Sequence, residues 1–218
     1  MTARGVACFA FVATILLALS CAQAAPTAPL WPAVWSSAFF ETTQIIFQAN
    51  TTGYFYYDST QQAARTDRAN GNGDRYCESH YVWQGYRYLH FPELNECCMC
   101  CTAANGCGIV KRDWLVNGTY QGTAVINNTK CDTWEQDGLQ KNFWYQSVDN
   151  ATPVLLDQQP NDQQYWAQET FSTSPIPKAT LMPPSICSPS NTCSFLSICT
   201  VARKNSLRDA PADHKFPF

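Results

Sequence analysis

The chain has 218 residues, of which 14% are charged and 13% are aromatic. This balance argues against an intrinsically disordered protein, because disordered chains are rich in charge and poor in aromatic side chains. The formal net charge is −3 and no basic run is present, so nucleic acid and anionic membrane are not expected partners.

The first 24 residues have the layout of a secretory signal peptide. Arg4 supplies the positive charge, residues 6–19 are apolar, and Ala22-Gln23-Ala24 resembles a cleavage site. We therefore expect a secreted, extracellular protein. Residues 25–218 are not apolar enough at any point to predict a membrane span. A non-cleaved anchor and a bacterial lipoprotein signal at Cys21 are the alternatives.

Cysteine is the most unusual part of the composition. Twelve are present, and five fall within residues 97–107. Removal of Cys8 and Cys21 with the signal peptide leaves ten, an even number that can pair completely in an oxidising compartment. Zinc is the alternative, but the CC-x-CC spacing fits no two-plus-two ligand pattern, and we expect neither a metal nor a cofactor. The expected disulfide cysteines, with their connectivity open, are Cys77, Cys97, Cys98, Cys100, Cys101, Cys107, Cys131, Cys187, Cys193 and Cys199.

Four Asn-x-Thr sequons agree with export, at Asn50, Asn117, Asn127 and Asn150. Each lies near residues that are typical of turns, where an asparagine side chain points outward. We expect at least two of them to carry glycans in a eukaryotic host.

Alternation of apolar and polar residues predicts strands in the first half of the chain. The first runs over residues 35–48, the second over residues 54–57 after a turn, and residues 61–67 form a candidate third. Residues 70–74, with repeated Asn-Gly, predict a hairpin turn rather than a calcium loop, because the EF-hand positions do not match.

Residues 76–91 are also rich in strand-forming side chains, and Pro92 ends the pattern. If the alternation runs through the segment without interruption, as in a single strand, it places two sets of side chains on opposite faces of that strand. The first set is Tyr81, Trp83, Leu89 and Phe91, and the second is Tyr86 and Tyr88.

The second half of the chain predicts three more strands, over residues 119–126, 130–134 and 142–148. Residues 153–156 are apolar, and residues 157–164 are polar and typical of a loop. Residues 165–171 predict one helical turn or a loop, and the chain becomes rich in proline from residue 175. Many short strands and few helical periods predict a mainly β, antiparallel domain with a minor helical part.

Several motifs occur in an unbroken order between residues 31 and 187. They are Gly53-Tyr54-Phe55-Tyr56-Tyr57-Asp58, Gly73-Asp74-Arg75-Tyr76-Cys77, Arg87-Tyr88-Leu89-His90-Phe91-Pro92, the cysteine-rich run, Cys131-Asp132-Thr133-Trp134 and Pro160-Asn161-Asp162. In this set the chain resembles the ependymin-related secreted proteins, in the subset with a double-cysteine cluster.

This resemblance implies an extracellular glycoprotein with a curved, disulfide-stapled antiparallel sheet, a half-barrel of the LolA/LppX kind, around an apolar pocket. It also implies three segments: a signal peptide at 1–24, the β domain at 25–187 and a largely irregular extension at 188–218.

The side chains present distinguish between an enzyme, a ligand-binding protein and a structural protein. No Gly-x-Ser-x-Gly or His-Glu-x-x-His motif occurs, so we expect no enzymatic activity. The preferred hypothesis is binding of a hydrophobic small molecule or lipid in a sheet-lined pocket. The alternative is a structural or adhesive glycoprotein with an extracellular matrix or cell-surface partner. An open apolar cleft would favour the first and a filled core the second. The candidate ligand-binding residues are Phe39, Tyr54, Tyr56, Trp83, Arg87, Trp134, Trp144 and Leu156.

Overall fold

The computed structural model describes residues 25–43, 49–69, 79–138, 140–160 and 162–194. The expected signal peptide, the Asn-Gly loop at 70–74, Cys77, Cys199 and the end of the C-terminal extension lie outside these ranges. Within them, no helix combines the length and the apolar character needed to cross a membrane.

Eleven antiparallel strands form one sheet, in the order β6-β5-β4-β3-β2-β1-β11-β10-β9-β8-β7. The predicted mainly β fold is therefore confirmed. One short helix, α1 (Lys178–Leu181), follows the strands. The strands are β1 (Val34–Thr43), β2 (Ala49–Asp58), β3 (Ala63–Arg68), β4 (Ser79–Trp83), β5 (Tyr86–Phe91), β6 (Glu96–Thr102), β7 (Thr119–Ile126), β8 (Thr129–Asp137), β9 (Lys141–Ser147), β10 (Pro153–Gln159) and β11 (Asp162–Trp166).

The strand order divides the sheet into two wings that meet at its centre. The first and last strands, β1 and β11, pair with each other, so one wing runs outward from β1 to β6 and the other from β11 to β7. Strands β6 and β7 are consecutive in the chain but lie at opposite edges. Residues 103–118 connect them across the sheet.

Residues 79–91 form a hairpin rather than one continuous strand. Gln84 and Gly85 have φ angles of 49° and 81° and make a two-residue turn. Trp83 pairs with Tyr86 across it. The turn reverses the phase of the alternation, so Trp83 lies on the face opposite to Leu89. The expected grouping of Tyr81 and Trp83 with Leu89 and Phe91 is therefore wrong.

The polar segment expected to be a loop at 157–164 lies mostly in strands β10 and β11. Its side chains find partners on the neighbouring strands of the sheet, β9 and β1. The Gln158 amide donates to Asn142 Oδ1 at 3.0 Å, and the Gln164 amide donates to Glu41 Oε1 at 2.8 Å. Burial of glutamine is tolerated here because these polar groups are hydrogen-bonded.

One face of the sheet, the core face, carries the main hydrophobic cluster. The contacts that Trp31 makes with two well-separated strands indicate that this face is concave. Its ring centroid lies 5.3 Å from that of Tyr57 on β2 and 5.1 Å from that of Trp144 on β9. In a flat sheet those strands would lie about 19 Å apart, at about 4.8 Å per strand. The sheet must therefore curve around Trp31. The buried members of the cluster are Trp31, Trp35, Phe39, Phe55, Tyr57, Ala64, Val82, Val110, Leu115, Trp134, Trp144, Leu156 and Trp166.

The chain after α1 covers the edge strand β6. The Met99 amide donates to the Asn191 carbonyl at 2.6 Å, and the Cys193 amide donates back to the Met99 carbonyl at 3.0 Å. This parallel bridge is reinforced by the disulfides Cys97–Cys187 and Cys98–Cys193. The beginning of the expected irregular extension at 188–218 is thus tied to the sheet, up to residue 194.

Cys101 and Cys107 form a further disulfide, and Cys100 is also disulfide-bonded. Cys131 is a buried free thiol, so the expectation that it belongs to a disulfide is wrong. It lies on β8, at the far side of the sheet from the cysteine-rich strand β6. A disulfide needs Cα atoms within about 7 Å, which that separation does not allow.

Candidate functional site

Four of the candidate ligand-binding residues lie in the hydrophobic cluster on the core face. Phe39, Trp134, Trp144 and Leu156 are each at most 5% exposed. Trp144 packs with Trp31 and with Trp114, whose ring centroid is 6.0 Å away. In the part of the chain that the structure describes, this region of the concave face is filled by protein side chains.

Tyr56 and Trp83 lie on the opposite face of the sheet, the outer face. Both pack against a small cluster that includes Ile176 and Leu181 from the segment around α1. The Lys178 ammonium group lies 5.6 Å from the centroid of the Trp83 ring. These two aromatic side chains hold the C-terminal segment on the sheet and do not border the cleft described next.

A shallow depression that is largely open to solvent, with a volume of about 730 Å³, lies on the outer face where the two wings meet, and we call it the outer cleft. The rings of Phe40 and Tyr165, with centroids 6.5 Å apart, form one side of it, and Tyr54 lies beside them on the neighbouring strand β2. Of the candidate ligand-binding residues, Tyr54 presents its side chain to this cleft, whereas Phe39 only borders it from beneath because its buried ring lies on the core face. Its lining residues are Ala38, Phe39, Phe40, Thr52, Gly53, Tyr54, Asp67, Arg68, Ala69, Tyr165, Trp166 and Ala167.

Gly53 is required at the centre of the outer cleft. A Cβ atom at this position would overlap the Phe39 ring and the Asp67 carbonyl oxygen. Phe39 pairs with Gly53 across the strands and covers it from the core face. Glycine therefore lets an aromatic ring from the core approach the backbone that underlies the cleft.

The two charged residues that line the outer cleft are both paired. Asp67 accepts hydrogen bonds from Arg65 Nε at 2.7 Å and from Ser79 Oγ at 2.8 Å. The buried Arg68 guanidinium donates to both carboxylate oxygens of Glu41, at 2.6 and 3.1 Å. Because these charges are already neutralised, the lining favours a neutral, apolar ligand over a charged one.

Arg87 lies away from the outer cleft, on the core face of β5. It borders a small internal cavity of about 20 Å³ together with Thr66 and His80. The sequence-based expectation placed Arg87 among residues around one apolar pocket. In the structure it is separated from Phe39 and Tyr54 by strands β3 and β4.

The sulfur atoms of Cys100, Cys101 and Cys107 lie within 4.8 Å of one another. Three sulfurs at this spacing could hold a metal ion as thiolates. Each belongs to a disulfide, however, and a disulfide sulfur is not the anionic ligand that zinc requires. In the oxidised protein this cluster is a covalent staple.

Sequence analysis did not identify Phe40, Tyr165 or Ala38 as lining residues. Phe40 follows Phe39 in a strand whose side chains alternate between faces, so one of the two must face away from the core. This alternation could have identified Phe40 from the sequence. Tyr165 was assigned to a helical turn or loop, whereas it lies on β11 opposite Phe40.

No family model and no curated protein matches this chain. Solved structures with partial similarity to this chain do exist. An uncharacterized conserved protein from Thermus thermophilus has a TM-score of 0.49 at 7% identity, over 72% of this chain and 89% of its own. LolA superfamily protein NE2245 from Nitrosomonas europaea has a TM-score of 0.37 at 6% identity, over 72% and 93%. A chain of the Pseudomonas aeruginosa MucA/MucB complex has a TM-score of 0.40 at 10% identity, over 71% and 57%. These similarities assign no role to any residue of this chain.

Proposed function

We propose that this protein is a secreted, ependymin-related glycoprotein that binds a neutral apolar small molecule, of lipid type, in the outer cleft without acting on it chemically. The observation that carries the proposal is the cleft itself. Its volume of about 730 Å³ lies within the range of about 300–1,000 Å³ that is usual for small-molecule sites, although it is largely open to solvent, so a ligand would lie against the sheet with one side exposed. The outer cleft replaces the concave pocket expected from the sequence.

The lining supports an apolar ligand in particular. Phe40, Tyr54 and Tyr165 offer aromatic rings, while Ala38 and Ala167 leave room between them. The two tyrosine hydroxyl groups engage neighbouring side chains, Ser36 at 3.5 Å for Tyr54 and Gln163 at 3.0 Å for Tyr165. Affinity would come from apolar area removed from water, less the cost of association.

Replacement of Phe40 by alanine tests this proposal. Phe40 is 41% exposed, so its loss should change the free energy of unfolding by less than about 1 kcal/mol. Loss of about 50 Å² of apolar contact with the ligand should cost about 1.2 kcal/mol, or about eightfold in affinity. The measurement is titration with a fluorescent sterol and a fluorescent neutral glyceride.

Val148→Ala is the matched control, because Val148 is 44% exposed and does not line the outer cleft. Ala38→Trp should fill the cleft from its floor and abolish binding. Equal probe affinity in the wild type, Phe40→Ala and Ala38→Trp proteins would refute a ligand site at this position.

A structural or adhesive role is the second candidate, and two observations favour it. The hydrophobic cluster on the concave face is densely packed, and the four sequon asparagines are all exposed. Glycans at those positions would surround the sheet and present it to an extracellular matrix or cell-surface partner. Failure of all neutral apolar probes to bind, together with adhesion of cells to the glycosylated protein, would select this role.

A further inference from the structure

The Arg87 guanidinium is buried without a carboxylate beside it. Arg87 is 9% exposed and lies on β5, opposite Val82 on β4 and Cys101 on β6. Its Nη2 donates one long hydrogen bond, of 3.4 Å, to the Gly108 carbonyl. Its Nε is buried and has no acceptor. Within the described ranges, no acidic side chain forms a salt bridge with it.

The surroundings of Arg87 do not supply the missing negative charge. Burial lowers the pKa of its guanidinium to about 10. The pKa of His80 lies well below its usual range because the imidazole is buried and the charges of Arg68 and Arg87 act on it, so His80 is neutral near pH 7. Arg68 is balanced by Glu41. Among the residues that the structure describes, nothing therefore compensates the positive charge of Arg87, which is costly in a buried position.

The small cavity lies next to this charge. Its volume of about 20 Å³ exceeds the roughly 10–15 Å³ that one water molecule needs and suits a single particle of water or halide size. The wall opposite the sheet comes from residues 108–110 of the β6–β7 connection. The lining consists of Phe55, Tyr57, Ala64, Thr66, His80, Val82, Arg87, Gly108, Ile109 and Val110.

We infer that this cavity is a binding site for a small monovalent anion of halide size, held by the Arg87 guanidinium. The donors of a guanidinium make their strongest hydrogen bonds to anions. Chloride supplies the charge in one atom, which suits the small free space beside Arg87, whereas a carboxylate would have to place three heavy atoms there. The site lies on the core face and is separate from the outer cleft, so either can be absent without affecting the other.

Crystals soaked in sodium bromide test the inference directly. An anomalous difference peak at the bromine edge is expected within about 3.5 Å of a guanidinium nitrogen of Arg87, the distance limit of such contacts. A water molecule at this point with no anomalous signal, at a bromide concentration that labels other surface sites, would overturn the assignment.

Thermal unfolding provides the solution test, at constant ionic strength with chloride replacing gluconate. Binding to the folded state alone multiplies the folding constant by 1 + [Cl⁻]/Kd, which is about elevenfold at ten times Kd. The melting temperature of the wild type should rise with chloride and bromide. Arg87→Met should abolish this rise, while Arg112→Met, which removes an exposed guanidinium, should keep it.

Acetate and decanoate, tested in gluconate buffer, distinguish a free halide from the carboxylate head group of a larger ligand as the anion at Arg87. The size of the cavity predicts no stabilisation by either. Stabilisation by these carboxylates that Arg87→Met abolishes, without any by chloride or bromide, would overturn the halide site and place a ligand head group at Arg87 instead. Should Arg87→Met fail to fold, the bromide measurement on the wild-type protein still decides the question.

Discussion

Replacement of Trp31 by alanine is the sharpest test of the filled core. Trp31 is 1% exposed, and its ring lies within 6.4 Å, between centroids, of five other aromatic rings: Trp35, Phe55, Tyr57, Trp114 and Trp144. Removal of a fully buried tryptophan side chain costs about 3–5 kcal/mol in lost transfer energy and cavity formation. The backbone there cannot easily collapse inward, because the Trp31 amide donates to the Arg112 carbonyl at 2.9 Å and Arg112 Nε donates to the Trp31 carbonyl at 2.8 Å.

Urea unfolding followed by far-ultraviolet circular dichroism, with the disulfides intact, measures this cost. At an m value of about 2 kcal/mol per M, the midpoint of Trp31→Ala should fall by about 2 M. Leu30→Ala is the control in the same segment, because Leu30 is 59% exposed and its loss should change stability by no more than about 0.5 kcal/mol. A midpoint for Trp31→Ala within about 0.5 M of the wild type would show that Trp31 does not fill the concave face.

Three further outcomes are expected. Burial raises the pKa of the Cys131 thiol, so this thiol should react with Ellman's reagent only in denaturant. Cys131→Ser should lower the number of thiols that react in denaturant by one. Rapid labelling of the native protein would contradict the burial of Cys131. His80, whose pKa is lowered by burial and by nearby arginines, should gain a proton below about pH 6.5 only on unfolding. The contribution of His80 to the free energy of unfolding should therefore be fully present above pH 6.5 and fall by up to about 1.4 kcal/mol per pH unit below it. Urea titrations at pH 7.5 and 5.5 measure this fall, and His80→Gln should remove it. Joint replacement of Cys97 and Cys187 by serine opens a loop of 90 residues and should cost about 2–5 kcal/mol of unfolding free energy in calorimetry; a loss below about 1 kcal/mol would refute a stabilising role.

Local patterns predicted three of the five strands in the second half of the chain, β7, β8 and β9. The alternation in residues 119–126 coincides with β7, because each residue there meets water on one side and the sheet on the other. The hairpin at residues 157–164 could not be predicted in the same way. Its buried glutamines look like loop residues until Asn142 and Glu41, which are distant in sequence, are placed beside them.

The candidate site was predictable only in part, for a related reason. Phe39 and Tyr54 were selected as aromatic residues on alternating strands, but only Tyr54 has its side chain on the face of the outer cleft, while the Phe39 ring lies beneath it on the core face. Alternation assigns residues to two faces but does not say which face is covered by other parts of the chain. The concave face is covered by Trp31 and by the β6–β7 connection, whose contacts with the sheet span many residues. The space therefore remains on the outer face, beside Phe40.

The two edge strands of the sheet, β6 and β7, are protected from pairing with another chain in two different ways, and the cysteines of β6 belong to the first. An edge strand exposes unpaired backbone groups that can pair with another chain. At β6 this edge is occupied by residues 191–193, which two disulfides hold in place. The opposite edge, β7, has a register shift before Gly122, whose φ is 95°, and its flanking asparagines Asn117 and Asn127 are exposed sequon positions. A bulge hinders strand addition without a disulfide, and glycans at these two asparagines, which remain a prediction, would hinder it further. The density of cysteine thus follows from where the chain needs a staple, and neither metal binding nor catalysis is required to explain it.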